Sequence, residues 1–539
     1  MNNKYLEWLN SNFTSESDKA ALKSMSEKEI EEAFSTDLKF GTAGIRGIMG
    51  LGTNRINIYT ISKVTEGLAR YLNKTYTNPK VAIAYDTRKN SKEFAETTAL
   101  ILNYNKIETY IYPEVASTPE LSFAVTYLKC DAGIVITSSH NASIYNGYKV
   151  YNKYGGQIVN PEDEMILDEI NKITDYNSIK KENVNNSYYH VLDEQIRKDF
   201  IKENLKVILN KDIIENYSKD IKVTYTSLHG TGMKIAPIIF DLFNVRVNYV
   251  KEQIDEDSNF TYAKEPNPEY IDNYELAIKY AKENGSDVII ASDPDSDRLG
   301  VMIKTPNGYE LLNGNIVGIL FANYILSNTK EINNKYIVRS IVTSNMIDKI
   351  ASYYNVNIKE VLTGCKNIAE VRNKDKDNYL FGYEESLGYM FNINVNDKNC
   401  FSSIVCLIEI ISYLKSNNKT IYEYIIELYQ KYGYYYENTK SITFDGIDGM
   451  SKMNDIMNKL RNNNLFNENE KIDYLNRDDR LKTNCLKFII DDNSYFMVRP
   501  SGTEPKIKIY FIVNSSSMNE AKKIEEELEI NVINKINSL

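Results

Sequence analysis

Short apolar runs alternate along this chain with longer stretches in which apolar residues return every three or four positions. Ile61–Tyr71, Phe94–Tyr104 and Pro119–Leu128 read as helices, and Val81–Tyr85, Thr109–Tyr112 and Gly133–Ile136 read as the buried strands that follow them. A helix between successive strands returns the chain to the same end of a sheet, so this order predicts right-handed crossovers and a mostly parallel sheet. The alternation restarts at Ile221–Tyr225, which leads through a Gly230-Thr231-Gly232 turn and a helix to the strand Val288–Ala291. It starts again near Tyr336–Val338, with helices over Ser402–Leu414 and Ile421–Tyr429. After Gly433 the texture changes. Strand candidates at Ser441–Phe444, Leu486–Ile490, Tyr495–Val498 and Lys506–Ile512 follow one another closely, as in an antiparallel sheet with helices on one face.

The pattern therefore predicts an α/β protein with three mixed, mostly parallel α/β domains and a C-terminal α+β domain. At 539 residues the chain exceeds what one hydrophobic core sustains, which agrees with several domains. The expected divisions are 1–205, 206–322, 323–436 and 437–539, with the polar segment Asp175–Tyr188 as a surface connection. No apolar run reaches the ~18 residues of a membrane span, and the first residues lack the basic-then-apolar layout of a signal peptide. Five cysteines without paired spacing point to a reducing cytoplasm. The net charge of −10 gives no general attraction to nucleic acid or anionic lipid, so an anionic ligand needs a local basic cluster.

Candidate chemistry concentrates in two loops. Ser139 follows the strand Gly133–Ile136 and is therefore expected at its carboxyl end, where open α/β sheets place ligands. A lone turn serine usually does no more than bond its own backbone. Here it stands beside His140 and Asn141, with Asn146, Gly147 and Lys149 shortly after, which makes it a candidate nucleophile or phosphate carrier. Asp293, Asp295 and Asp297 alternate in the second loop and place three hard carboxylates close together, a repulsion that a divalent cation relieves. An EF-hand needs Gly and Glu where this chain has Arg298 and Lys304, so that reading fails. Together the two loops point to metal-assisted phosphoryl transfer. Arg46 lies in a glycine-rich Gly41–Gly47 segment that is no Walker loop, because no Lys-Ser or Lys-Thr follows. Gly230-Thr231-Gly232 is no dinucleotide fingerprint either, since Ile235 stands where the third glycine belongs. Arg499, Ser501, Gly502 and Thr503 combine a guanidinium fork, two hydroxyls and an unencumbered backbone, as a phosphate cradle does.

Five segments in order, namely Gly41–Gly47, the Ser139 loop, the Asp293 loop, Gly382–Ser386 and Arg499–Glu504, resemble the α-D-phosphohexomutases, the family of phosphoglucomutases and phosphomannomutases. The resemblance implies four domains around a central cleft, with the phosphoserine loop in the first, the metal loop in the second, sugar recognition in the third and phosphate binding in the fourth. It implies that Ser139 carries a phosphoryl group, that His140 supports it, that Lys149 is a general base and that Arg46 lies at the catalytic centre. Mg²⁺ would be held by Asp293, Asp295, Asp297 and an oxygen of phosphorylated Ser139. Glu384 and Ser386 would read sugar hydroxyls, while Arg298, Thr363, Gly364, Lys398 and the Arg499 cradle would contact substrate. The implied reaction interconverts α-D-glucose 1-phosphate and glucose 6-phosphate, with mannose phosphates as further substrates, through a glucose 1,6-bisphosphate that also serves as activator. Family members occur as monomers and homodimers.

Three departures from the family pattern stand out: Ala142 where proline is usual, Asn396 where arginine is usual, and Tyr383 where a small glycine is usual. The last, with the lack of a histidine near Gly388, fits the longer bacterial phosphoglucomutases and their phosphopentomutase-like relatives. Two rival readings follow. One is a phosphopentomutase on ribose or deoxyribose 1-phosphate, and the other is a non-catalytic sugar-phosphate binding homologue, against which the intact Ser139, Lys149 and aspartate set argues.

Overall fold

The computed structural model describes residues 3–41, 44–444, 448–466, 468–502 and 505–539. It divides into two compact units, one of Met1–Leu311 with Gly388–Tyr413, the other of Leu312–Leu387 with Leu414–Leu539.

The first unit holds two mixed sheets. In the six-stranded sheet, Lys80–Tyr85 runs parallel to Ala132–Ile136 on one side and to Glu108–Ile111 on the other, which in turn pairs in parallel with Tyr189–Val191. The helix Ile58–Thr75 covers this sheet because Ile61, Val64, Leu68 and Leu72 recur on one face and are all buried. The helix Thr118–Tyr127 starts where sequence chemistry demands, with Ser117 and Glu120 forming a capping box and Pro119 in the first turn. At the loop after Ile136 the chain turns back instead of entering a helix. Tyr145–Asn152 pairs antiparallel with Ala132–Ile136 and with Gly44–Ile48. Gly44 makes that edge possible: its φ is +135°, and a Cβ there would stand 1.8 Å from the Tyr148 carbonyl oxygen.

The second sheet of this unit orders Gly308–Leu311, Leu299–Thr305, Val288–Ser292, Lys222–Thr226 and Arg246–Tyr249. Its last three strands are parallel, so Val288–Ser292 delivers the aspartate loop at its carboxyl end. Ahead of the first sheet, three short helices, Asn3–Asn10, Glu16–Lys23 and Glu27–Phe34, gather around Trp8, which meets Phe13, Phe34, Tyr59 and Tyr176 edge-on. Gly388–Tyr413 is bound into the same unit by buried polar contacts. The Glu409 carboxylate accepts the Leu209 and Asn210 N–H groups, and Asp397 accepts the Tyr151 hydroxyl at 2.7 Å.

In the second unit Tyr336–Ser340 lies between Asn357–Val361 and Tyr379–Glu384, parallel to both. Its C-terminal part is an antiparallel sheet in the order Tyr434–Thr443, Lys506–Ser515, Tyr495–Pro500, Leu486–Ile489, Glu470–Asp473. Met453, Met457 and Leu460 of the helix Gly449–Asn462 and Val532 and Ile536 of the helix Met518–Asn537 close its core. All five cysteines are buried, and none forms a disulfide among the described residues. Among the described residues no single helix is long and apolar enough to cross a membrane.

Candidate active site

Two strand ends of the first unit bring the serine and aspartate loops face to face. Ser139 adopts a left-handed backbone, φ +50°, and its hydroxyl donates to Asp293 Oδ2 at 2.8 Å, with His140 Nδ1 at 3.2 Å. The aspartate loop is tight because Gly230 lies under it. A Cβ at Gly230 would stand 2.3 Å from Pro294 Cα, and the Thr231 N–H and hydroxyl both donate to the Pro294 carbonyl.

Two of the three aspartates pair with cationic side chains. Lys149 Nζ, carried by the returning strand, lies 2.9 Å from Asp295 Oδ2 and 3.9 Å from Asp297 Oδ2. Lys398 Nζ lies 3.1 Å from Asp297 Oδ2, and Arg298 Nε 3.9 Å from Asp297 Oδ1. The Arg298 N–H donates to Asp293 Oδ1 at 3.1 Å. Arg46 reaches the serine loop by donating from Nη1 to Asn141 Oδ1 at 3.2 Å. Thr42 and Ala43 of its segment lie outside the described residues.

Burial sets the protonation of this cluster. It pushes the Asp293 carboxyl well above the usual carboxylate range, and the charges of Asp297 and Asp295 push the same way. Burial also opposes ionisation of Asp295, but the Lys149 ammonium and the Lys149 and Thr118 hydrogen bonds hold it below that range. Lys149 shows the other half of that pair: burial works against its charge, and Asp295 with Asp297 keeps it above the ordinary lysine value. His140 is driven well below the usual imidazole range, first by burial and then by the positive charges of Arg298, Arg46 and Lys398, so its ring is neutral near pH 7.

The aspartates suit a hard divalent cation. One oxygen from each lies within 4.8 Å of the others, all three residues are buried, and Asp295 Oδ1 and Asp297 Oδ1 have no hydrogen-bond partner among the described residues. Three buried carboxylates with two unused oxygens are the donor set that Mg²⁺ prefers to imidazole or thiolate sites.

The second unit holds the remaining expected residues. The Gly364 N–H donates to Glu384 Oε1 at 2.5 Å, so the Thr363-Gly364 turn and the strand-end carboxylate form one surface. Asn367 fastens the turn by donating to the Thr363 carbonyl. Ser386 sits half-buried in the turn after Glu384. Arg499 pairs with Lys508 in a hairpin whose return is closed by the Ser501 N–H on the Lys506 carbonyl, and nothing approaches within 4 Å of where a Gly502 Cβ would be. Thr503 and Glu504 lie outside the described residues. The hairpin geometry and the cradle composition thus coincide. Lys398, by contrast, lies in the first unit and pairs with Asp297 of the aspartate loop.

Two of the departures acquire a structural meaning. The Tyr383 ring is wholly buried, stacks on Phe381 and fills a slot opened by Gly318, where a Cβ would stand 2.2 Å from Tyr383 Cδ2. It is a core residue on the opposite face of its strand from Glu384. Asn396 is buried and its N–H donates to Ser122 Oγ at 2.8 Å.

Sequence reasoning missed Thr118. Its hydroxyl donates to Asp295 Oδ2 at 2.8 Å and its N–H to the Asp295 carbonyl at 2.9 Å, which fastens the helix Thr118–Tyr127 to the aspartate loop. The available signal was the helix-start pattern Ser117-Thr118-Pro119-Glu120, whose unused hydroxyl points off the helix end. It also missed the polar turn Asp86-Thr87-Arg88 directly after the apolar Val81–Tyr85, which encloses the serine loop.

Comparison with known proteins agrees with this geometry. Models of phosphoglucomutase/phosphomannomutase alpha/beta/alpha domains I, II and III match residues 37–177, 198–308 and 313–432, and the model of the C-terminal domain matches 456–529. A phosphoglucomutase of Staphylococcus aureus strain MRSA252 is 36% identical over 525 residues, which covers 93% of this chain and 94% of the relative. Two solved structures share the fold. Parafusin, a phosphoglucomutase from Paramecium in its open form, has a TM-score of 0.72 at 20% identity and covers 93% of this chain and 96% of its own. A phosphoglucomutase/phosphomannomutase family protein from Burkholderia thailandensis has a TM-score of 0.69 at 17% identity, with 92% and 97% covered. Fold and relatives define an isomerase, an enzyme that moves a phosphoryl group within its substrate. The chain belongs to the phosphoglucomutase/phosphomannomutase family.

Proposed function

We propose that this phosphohexomutase interconverts α-D-glucose 1-phosphate and glucose 6-phosphate through phosphorylated Ser139. One observation carries the reading: the Ser139 hydroxyl sits 2.8 Å from Asp293, inside a buried cluster whose other carboxylates are paired with Lys149 and Lys398. A phosphoryl group on Ser139 Oγ would meet three cationic side chains and the aspartate set together. The 36% identity to a phosphoglucomutase over nearly the whole chain supports glucose phosphates over pentose phosphates. The buried position of Tyr383 removes it from the sugar surface and weakens the pentose reading further.

In the forward direction phospho-Ser139 transfers its phosphoryl to O6 of glucose 1-phosphate, which gives glucose 1,6-bisphosphate. The intermediate turns over, and its C1 phosphoryl passes to Ser139 Oγ as the C1–O–P link breaks at phosphorus. In the first transfer O6 gives up its hydroxyl proton and Ser139 Oγ regains one; in the second Ser139 gives up its hydroxyl proton, with the neutral His140 Nδ1 the adjacent acceptor at 3.2 Å, and the departing sugar O1 takes one up. Asp293, Asp295, Asp297 and an oxygen of phospho-Ser139 would hold Mg²⁺, whose contribution is to neutralise charge on the transferring phosphoryl oxygens. Lys149 holds its proton while paired with Asp295, so a role as general base would require that pair to be broken first. Arg46 and Arg298 add positive charge at this centre. Thr363, Gly364, Glu384 and Ser386 read the ring, and Arg499, Ser501, Gly502 and Thr503 hold the phosphate that is not reacting. The divisions 1–205, 206–322, 323–436 and 437–539 carry these roles in turn, in a cytoplasmic enzyme whose partners are small sugar phosphates.

The test is ³¹P NMR of the purified protein with Mg²⁺ and a trace of glucose 1,6-bisphosphate, offered glucose 1-phosphate, mannose 1-phosphate and ribose 1-phosphate separately. The expected result is a glucose 6-phosphate resonance in the first tube at the highest rate. Turnover of ribose 1-phosphate alone overturns the substrate, and silence in all three overturns the activity.

A further inference from the structure

The Ser139 loop is gripped from behind by one side chain. Arg88 follows the strand Lys80–Tyr85, is 3% exposed, and lies across four carbonyl oxygens of the loop. Its Nη2 donates to the Ser139 and Asn141 carbonyls, each at 2.5 Å, and its Nη1 to the Ala142 and Tyr145 carbonyls at 2.9 and 3.0 Å. Asp86 Oδ2 lies 3.3 Å from Arg88 Nε, and the Phe260 ring lies 4.9 Å from the guanidinium carbon. Asp86 Oδ2 also accepts the Thr137 hydroxyl at 2.6 Å, and Thr137 Oγ1 accepts the Ser139 N–H at 2.8 Å. Both peptide groups of Ser139 are therefore anchored to the Asp86–Arg88 turn, one directly and one through Thr137.

This matters because of the conformation being held. A serine at φ +50° sits in a region that disfavours it by about 1 kcal/mol or more. Four carbonyls converge on one cation here, an arrangement with no stability of its own once the cation is gone. Ala142 contributes one of the four carbonyls, so the grip is on backbone alone.

We propose that Arg88 is a positioning residue: by reading the backbone of residues 139–145 it fixes Ser139 Oγ at the point where it meets Asp293 and His140. The inference rests on Ser139 being the phosphoryl carrier. Lysine cannot replace arginine here, because a single ammonium cannot span four carbonyls that match a planar fork.

Arg88→Lys and Arg88→Ala, studied as full-length enzyme with Mg²⁺ and glucose 1,6-bisphosphate, test it. An ångström of displacement at a reacting atom costs on the order of a hundredfold in rate, so Arg88→Lys is expected to lose about that in kcat while KM for glucose 1-phosphate stays within about threefold. Guanidinium ion at non-denaturing concentration should restore at least about tenfold of the rate lost in Arg88→Ala, because it refills the site that the side chain left. A kcat for Arg88→Lys within about twofold of the unaltered enzyme overturns the proposal. So does a folded Arg88→Ala, by circular dichroism, whose rate guanidinium leaves unchanged. If Arg88→Ala does not fold, the Arg88→Lys kinetics decide alone. Mass spectrometry of the Ser139 peptide separates the two levels. An unaltered enzyme that turns over without phosphate on Ser139 removes the carrier and the clamp together, whereas a phosphorylated Ser139 with a fully active Arg88→Lys removes only the clamp.

Discussion

Ser139 and the three aspartates form a balance of charge that no single residue explains. Asp293 is driven towards the neutral acid and Asp295 towards the carboxylate, because only Asp295 has an ammonium at 2.9 Å. Ser139→Ala removes the candidate acceptor and leaves the aspartate–lysine pairs in place. Turnover is expected to fall by at least about a thousandfold, with an unchanged circular dichroism spectrum, and steady-state assay of glucose 1-phosphate conversion checks it. A second titration belongs to stability. Burial pushes the Glu437 carboxyl up to about 7 from 4.5, against hydrogen bonds from Ser344 and Asn313. Because the folded protein binds this proton more tightly, the associated stability is complete below about pH 4.5 and is lost as pH rises through about 7. Glu437→Gln should flatten this part of the curve and raise stability at pH 8 by on the order of 1–3 kcal/mol, read from urea melts at pH 5 and pH 8. The serine, lysine and aspartates were legible because reactive types stood in unusual spacing. Thr118 and Arg88 were not, because a threonine at a helix start and an arginine after a strand are ordinary locally, and their meaning comes from partners such as Asp295, far along the chain.

Strands and crossover helices were legible wherever the apolar pattern ran long enough to show its period. Val81–Tyr85 and Gly133–Ile136 are strands, and Phe94–Tyr104 lies within the helix Ser91–Tyr104. The three N-terminal helices escaped because each has eight residues, about two turns, and their packing depends on Trp8 meeting Tyr59 and Tyr176 from distant segments. Tyr145–Asn152 escaped as well, since its polar Asn146 and Lys149 hide a strand that is buried along most of its length. The hairpin that carries Arg499 was legible as alternating strands. Its guanidinium neighbours the buried Tyr510, whose hydroxyl burial and Glu385 drive upward and Arg499 draws down. If this hairpin holds the non-reacting phosphate, as proposed, it would do so in ground state and transition state alike. Arg499→Ala is therefore expected to raise KM for glucose 1-phosphate by about ten- to a hundredfold and to change kcat by less than about threefold, measured under saturating activator.

At the scale of the whole molecule, the three-aspartate site is a local source of instability that ligand binding can reverse. A cation that binds only the folded cluster stabilises it by mass action, about 2.7 kcal/mol at a hundred times its Kd. Addition of Mg²⁺ after chelation should slow amide hydrogen exchange in Val288–Ser292 and in the Ser139 loop, and leave the strand Tyr495–Pro500 unchanged. Equal protection of both regions, or of neither, would count against the cation site.

The chain also crosses between its compact units more than once, since Gly388–Tyr413 belongs with residues that precede it by hundreds of positions. On a ribosome, the first 311 residues emerge well before Lys398 and Glu409 exist. Until then Asp297 lacks the nearer of its two lysines, and the Leu209 and Asn210 N–H groups lack their carboxylate. The serine–aspartate cluster thus gains its last lysine late in translation, after Leu312–Leu387 has been made, and a truncated nascent chain carries it one positive charge short.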